Sequence, residues 1–292
     1  ATPVSGHAPL TLAALAAGKH VACEKPSALT LEENVAIRDA AKAAKREVVF
    51  FSARQRYGFA ELAKQHMPQI GKAYRVDVRF ARRRGRPGVD IITDAHWFVD
   101  HKRAGGGVVM DMGQYFMDCV LNLCGWPEIT AVSATSFRGH AHNLPAGRTF
   151  DVEEQISILA RTKTGCTFTF DLAWIGHQHS VMQASLLGVD GGIHVDWQAA
   201  EGKQPFTFCR DGANPWQWMD TTTSWKGKES GNDRVYRDLC KRIRGDQVDV
   251  GTTPDQAIAI TRLTLMAQKS AAEGREITAD EVPIPRASAA AG

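Results

Sequence analysis

The chain has 292 residues, 43% of them hydrophobic, enough for a large core in one or two domains. Its 35 basic and 32 acidic residues nearly cancel, and the basic run Arg82 to Arg86 has no interleaved aromatic platform, which argues against nucleic acid as a partner. No apolar run reaches the roughly 20 residues that cross a bilayer and no charged-then-apolar leader opens the chain, so a soluble, cytoplasmic protein with no membrane partner is expected.

In chain order, Leu10, Ala13, Leu15 and Ala16 predict a small-residue helix over Pro9 to Ala17 that stops at Gly18. A buried strand, His20 to Cys23, follows. Thr30 caps a helix with Glu32 and Glu33 in its first turn, which runs to about Lys45 and leads into the apolar strand Val48 to Phe51. This alternation predicts a parallel, two-faced sheet.

After Ser52 the period changes. A helix near Phe59 to His66 precedes Tyr74, Val76, Val78 and Phe80, which alternate with Arg75, Asp77 and Arg79 as in a half-buried strand. Period-two runs recur at Ile129 to Phe137, Val152 to Ala160, Cys166 to Trp174, Val181 to Leu187 and Gly192 to Trp197, and together they read as an antiparallel sheet. Helices near Asp233 to Ile243 and Asp255 to Ala272 cover that sheet or return to the first unit, and the alanine-rich tail from Ala287 is expected to fray. The predicted fold is α/β plus α+β. A partial Rossmann-like parallel sheet occupies residues 1–53, and a large, mainly antiparallel sheet domain covered by helices occupies residues 54–292. The six cysteines (Cys23, Cys119, Cys124, Cys166, Cys209, Cys240) form no CxxC pair, so neither a metal site nor a disulfide framework is expected.

Two constellations carry chemistry. Glu24-Lys25-Pro26 stands at the carboxyl end of a buried strand, where open parallel sheets place their ligands; the bland alternative is a solvated turn. Desolvation there would lower the pKa of Lys25 and let it exchange protons with a substrate hydroxyl. The second is the predicted helix Val108 to Leu123 behind Gly105-Gly106-Gly107. Asp111, Tyr115, Asp118 and Asn122 fall on one stripe of an otherwise apolar segment, where a solvated face would carry lysine and glutamate. Three glycines allow close backbone approach, to a ligand or to another part of the chain.

These motifs in this order carry a resemblance. The turn TPVSGH, the helix after it and AGKHVACEKP resemble the Gfo/Idh/MocA oxidoreductases, as do RRRGRPG through HWFVDHKRAGGGVVMDMGQYFMDCVLNLCG and then VEEQISILARTKTGCTFTFDLAWIGH. The resemblance implies an NAD- or NADP-dependent oxidoreductase that moves a hydride between the nicotinamide and a hydroxyl-bearing carbon of a sugar or cyclic polyol. It implies Thr2, Pro3, His7, Glu24, Lys25 and Pro26 beside the cofactor, with Lys25, Asp111 and Tyr115 as catalytic residues. Tyr115 stands where most members have histidine, and a phenol is a poorer base unless a cation such as Lys25 stabilises its anion, so the base is left between the two.

Arg56, Arg82, Trp97, Trp174, His177 and His179 are candidates to line a carbohydrate pocket beside Asp111 and Tyr115, against the alternative that Trp174 is core and the arginines solvated. The resemblance also implies a homo-oligomer, dimer or tetramer, formed through the antiparallel sheet. Two other readings stand beside the dehydrogenase: a redox-neutral, NAD-dependent glycosidase, and a non-catalytic sugar-binding or assembly subunit. The GxGxxG turn expected to hold the pyrophosphate does not occur, which reads as a fragment whose N-terminal segment lies elsewhere.

Overall fold

The computed structural model describes residues 2–51, 59–196, 206–212, 217, 219–223 and 231–286. Arg56, Trp197 and the tail from Ala287 therefore lie outside the described residues. Helix α1 (His7–Ala16) follows a 3₁₀ turn at Val4–Gly6 and ends at Gly18, whose φ of +69° closes the helix with Gly18 N–H donating to Leu15 O. Strand β1 (Val21–Cys23) pairs in parallel with β2 (Val48–Phe50), joined by α2 (Leu31–Ala44). Thr30 and Glu33 form a reciprocal capping box at the start of α2.

Side chains alternate across β2, so its two faces meet different partners. Val48 and Phe50 pack with Leu15, Ile37 and Ala41 of α1 and α2. Val49 and Phe51 pack with Val235 and Leu239 of α6 (Gly231–Ile243), numbered here after the three helices α3 (Phe59–His66), α4 (His101–Ala104) and α5 (Gln114–Leu123). The parallel, two-faced arrangement read from the sequence is thus present, and one late helix returns to it.

The second sheet contains, among the described residues, β3 (Ala73–Ala81), β4 (Ile129–Phe137), β5 (Gln155–Thr162), β6 (Thr167–Ala173), β7 (Val181–Gly188), β8 (Gly192–Asp196), β9 (Phe206–Cys209), β10 (Thr221–Thr223) and β11 (Ile277–Thr278). Their spatial order is β10-β9-β8-β7-β3-β6-β5-β4-β11. Every pairing is antiparallel except β3 with β6, which run parallel with Val76 opposite Phe168 and Phe80 opposite Leu172. The sheet is therefore mainly antiparallel, with one parallel seam near its centre that strand periodicity did not disclose. One face buries Val76, Val78, Phe80, Ile156, Ile158, Phe168, Phe170 and Leu172, each large side chain contributing on the order of 2 kcal/mol.

Helix α5 and the last helix, α7 (Pro254–Glu273), cover that face through Phe116, Met117, Val120, Leu263 and Met266. A capping box from Thr253 to Gln256 starts α7, and Gly274 at φ +65° ends it. This helix also reaches the first unit, where Asn34 of α2 donates to Thr261 Oγ1 at 3.1 Å. Among the described residues no helix is long and apolar enough to cross a membrane.

Candidate active site

The end of β1 meets the start of the α5 segment across a cavity of about 370 Å³, within the usual range for small-molecule sites. Thr2, His7, Glu24, Lys25, Pro26, Trp97, Asp111 and Tyr115 all line it. Lys25 comes from the strand tip, where the Lys25–Pro26 bond is cis. The carbonyl of Pro26 accepts from His7 Nδ1 at 2.7 Å, so the proton sits on Nδ1 and fixes the tautomer of a buried imidazole at the cavity wall.

Residues Val109–Gly113 form a π-helical turn that runs into α5, in place of the continuous α-helix predicted for Val108 to Leu123. Such turns recur at functional sites because they re-aim side chains within a helix. Asp111 lies in this turn. Its Oδ1 accepts from Lys25 Nζ at 2.9 Å, its carbonyl oxygen from the same ammonium at 2.5 Å, and its Oδ2 from Trp174 Nε1 at 2.9 Å. The ammonium also lies 4.3 Å from the centre of the Tyr115 ring, a cation-π contact.

Burial alone would lower the lysine's pKa. The charge of Asp111, the Tyr115 phenol, the hydrogen bond to Asp111 and the charge of Glu24 outweigh it, and Lys25 sits above the usual lysine range. This corrects the expectation of a lysine with a depressed pKa, because the sequence could not show a carboxylate brought against the amine from 86 residues away.

The remaining candidates are placed differently. Trp174 is fully buried and does not line the cavity; it reaches the site through its indole N–H on Asp111 rather than through an exposed aromatic face. Pro3 supports the turn before α1, its carbonyl accepting from Gly6 N–H at 2.9 Å. The Arg82 guanidinium folds back over Phe80 at 5.2 Å, and His177 and His179 are exposed; none of the three lines the cavity. Asp118 of the predicted polar stripe is buried and accepts from Thr252 Oγ1 at 2.7 Å.

Two family models match this chain. The model described as "Oxidoreductase family, NAD-binding Rossmann fold" matches residues 1–52, and "GFO/IDH/MocA C-terminal domain" matches residues 67–194. The chain belongs to the Gfo/Idh/MocA oxidoreductase family. Its curated relatives include a D-glucoside 3-dehydrogenase of Escherichia coli, 32% identical over 139 residues, covering 47% of this chain and 38% of the relative. Another is a levoglucosan dehydrogenase of Pseudarthrobacter phenanthrenivorans, 35% identical over 141 residues, 46% of this chain and 34% of the relative. The matches thus span well under half the length of these two relatives. Among solved structures, a levoglucosan dehydrogenase in complex with NADH and L-sorbose superposes with a TM-score of 0.77 at 21% identity, over 97% of this chain and 78% of that one. An oxidoreductase domain protein from Kribbella flavida gives 0.80 at 20% identity, over 97% and 79%. At these identities the structures show a shared fold.

Several wall residues of this family member were not legible in the sequence. Val4, Phe98, Ala104, Gly106 and Met110 line the cavity, with Phe98 stacked on Trp97 at 3.9 Å. The adjacent aromatic pair in a long loop was the available signal for Phe98; the others are small or apolar residues that look like core. Among the described residues no three His, Cys, Asp or Glu side chains cluster as metal ligands.

Proposed function

We propose that this protein is an NAD(P)-dependent oxidoreductase that transfers a hydride between the nicotinamide and a hydroxyl-bearing carbon of a sugar or cyclic polyol. The observation that carries the reading is the convergence of Lys25, Asp111 and Tyr115 on one sugar-sized cavity with an aromatic wall at Trp97. The names of two curated relatives, a D-glucoside 3-dehydrogenase and a levoglucosan dehydrogenase, point the same way.

The donor set suits the nicotinamide end of the cofactor. Thr2, His7 and Glu24 offer polar atoms beside the apolar Val4 and Pro26, and Lys25 stands between this wall and Asp111. The cofactor's contribution when bound is to accept or return the hydride. The chain's residues supply the rest. Trp97 covers an apolar ring face, while Lys25, kept protonated by Asp111, donates to a substrate oxygen. As the carbon–hydrogen bond breaks and a carbonyl forms, the hydroxyl proton passes to the phenolate form of Tyr115, the anion that the facing Lys25 ammonium stabilises, and leaves a neutral phenol. General acid–base assistance of this kind contributes about 10² to 10⁴ in rate.

Under this reading, residues 1–53 belong to the dinucleotide-binding unit and the remainder supplies the substrate side. The solvent-facing side of the large sheet, with Arg75, Arg79 and Asp171 more than half exposed, is available for a homo-oligomer. The test incubates the natural polypeptide with NAD or NADP and a panel of sugars, cyclic polyols and glycosides. Accumulation of reduced nicotinamide with one of them is expected. Release of an aglycone without net reduced nicotinamide would replace the reading with a redox-neutral glycosidase, and sugar binding without nicotinamide affinity would replace it with a non-catalytic subunit.

A further inference from the structure

The site's chemistry leaves unused a carboxylate packed behind the glycine loop. Glu153 precedes β5, and both of its side-chain oxygens accept from Gly107 N–H at 2.9 Å, while Oε1 also accepts from Val109 N–H at 3.1 Å. The amide between them, that of Val108, donates to the backbone carbonyl of Glu153 at 3.2 Å. Three successive amides at the start of the segment bearing Asp111 and Tyr115 thus end on one residue.

The contact is close as well as polar. A Cβ on Gly107 would lie 1.8 Å from the Glu153 carbonyl oxygen, so a side chain at 107 would force the two segments apart. On the other side of the loop, Gln268 of α7 donates to the Gly105 carbonyl at 2.7 Å, and Gly106 between the two anchors lines the cavity. Negative charge is favourable where a helical segment leaves its first N–H groups without intrahelical partners. Burial raises the pKa of Glu153 above the usual carboxylate range, and the Gly107 and Val109 amides draw it only part of the way back. Such a group is costly to keep for packing alone. Glu153 itself does not line the cavity.

We propose that Glu153 is the positioning residue of the site: by gathering the amides of residues 107–109 it sets the height and rotation of the segment that presents Asp111 and Tyr115 to Lys25. The kinetic consequence rests on the oxidoreductase reading above; the structural one does not. Asp111 Oδ1 has 2.9 Å to Lys25 Nζ, so a small displacement of the segment opens that bond.

The test compares Glu153→Gln and Glu153→Asp with the unaltered protein, with rates expressed per folded molecule. Glutamine keeps the shape but turns one acceptor into a donor facing Gly107 N–H, and aspartate keeps the charge but falls short of the loop. Both are expected to lose about ten- to a hundredfold in kcat with KM for sugar and nucleotide within about threefold, the pattern of misplaced catalytic groups. Hydrogen–deuterium exchange over residues 104–112 should accelerate by about tenfold or more in both variants while the β3 to β7 strands keep their protection. Unchanged kcat per folded molecule, full rescue by aspartate, or unchanged exchange in that segment would overturn the proposal. If the unaltered protein oxidises no sugar, the functional reading fails, and the exchange result still decides whether Glu153 holds the segment. Should glutamine prevent folding, the aspartate variant answers the same two measurements.

Discussion

Lys25 with Asp111 and Arg86 with Glu154 are both close acid–base pairs, at 2.9 and 2.8 Å, yet they stand in opposite surroundings. Arg86 and Glu154 are sealed, each with a side-chain exposure of 0%. Arg86 also bonds Asp90 through Nε and Nη2 and reaches the carbonyls of His140 and Ala141, while Glu154 Oε2 accepts from the Gly139 and His140 amides and the His140 ring. Burial would raise the Glu154 pKa, but these amides and the guanidinium hold it below the usual range. Every valence of this pair is directed inward, and it ties the loops after β3 and β4 to the start of β5. The Lys25 and Asp111 side chains instead keep 14% and 13% of their surface and border an open cavity. A tight ion pair therefore does not by itself distinguish the proposed site in this protein; the cavity beside Lys25 and Asp111 does.

Substitutions should separate the two regions by the kind of damage they cause. Lys25→Ala is expected to lower kcat by about 10³ to 10⁴ while near-UV circular dichroism stays native, since it removes both the donor and the charge facing Tyr115. A near-normal rate would break the comparison at its functional end. Arg86→Ala should do the reverse, costing about 3 to 5 kcal/mol of stability by removing the guanidinium from the buried Glu154 carboxylate and from Asp90, with kcat per folded molecule unchanged. A denaturant titration with parallel kinetics checks it, and a mild loss of stability would show that water or rearrangement satisfies the acids. Tyr115→Phe should lower kcat by about 10² with little change in KM.

A smaller effect is expected from Trp174→Phe, which removes the indole N–H from Asp111 Oδ2 but keeps most of the core volume. A fall in kcat of about tenfold, with a stability loss near 1 kcal/mol, would match one lost charge-assisted hydrogen bond. The smallest effect concerns pH. Because the folded protein holds the Lys25 pKa above its unfolded value, the resulting stability is fully present below the ordinary lysine pKa of about 10.4 and is lost as pH rises through the folded value. The difference in unfolding midpoint between the unaltered protein and Lys25→Met should stay constant from about pH 6 to 9 and shrink above about pH 10. A difference that changed near neutrality would mean that Lys25 titrates there, and the pairing with Asp111 would be wrong.

Much of the architecture was readable because its causes are local. The Thr30 cap, the Gly18 stop and the period-two strands around Val76 and Phe168 depend on neighbours within a few residues. The parallel β3–β6 seam was not readable, because strand direction is decided by how the chain returns through α5 and β4. Of the candidate site, the Glu24-Lys25-Pro26 tip and the Asp111 and Tyr115 pair were legible as motifs. The part of Trp174 stayed open between pocket wall and core, since alternation reveals which face a strand residue occupies but not which distant acceptor its N–H will find. Glu153 and Glu154, neighbours just before β5, show the same limit: one acid holds the glycine loop and the other clasps Arg86 without any difference in their local sequence.

Taken alone, the chain's sequence determined the identity and order of its elements, a parallel unit followed by a mainly antiparallel one, and the residue types from which a sugar-sized site could be built. Tertiary structure decided the distances: a lysine and an aspartate 86 positions apart brought to 2.9 Å, an ammonium over a phenol ring, and one arginine sealed where its neighbour Arg82 folds back on its own loop. The reason is one of range. Caps and periodicities act over a turn of helix or a pair of strand residues, whereas pKa, proton placement and cavity shape depend on charges and surfaces that only packing brings together.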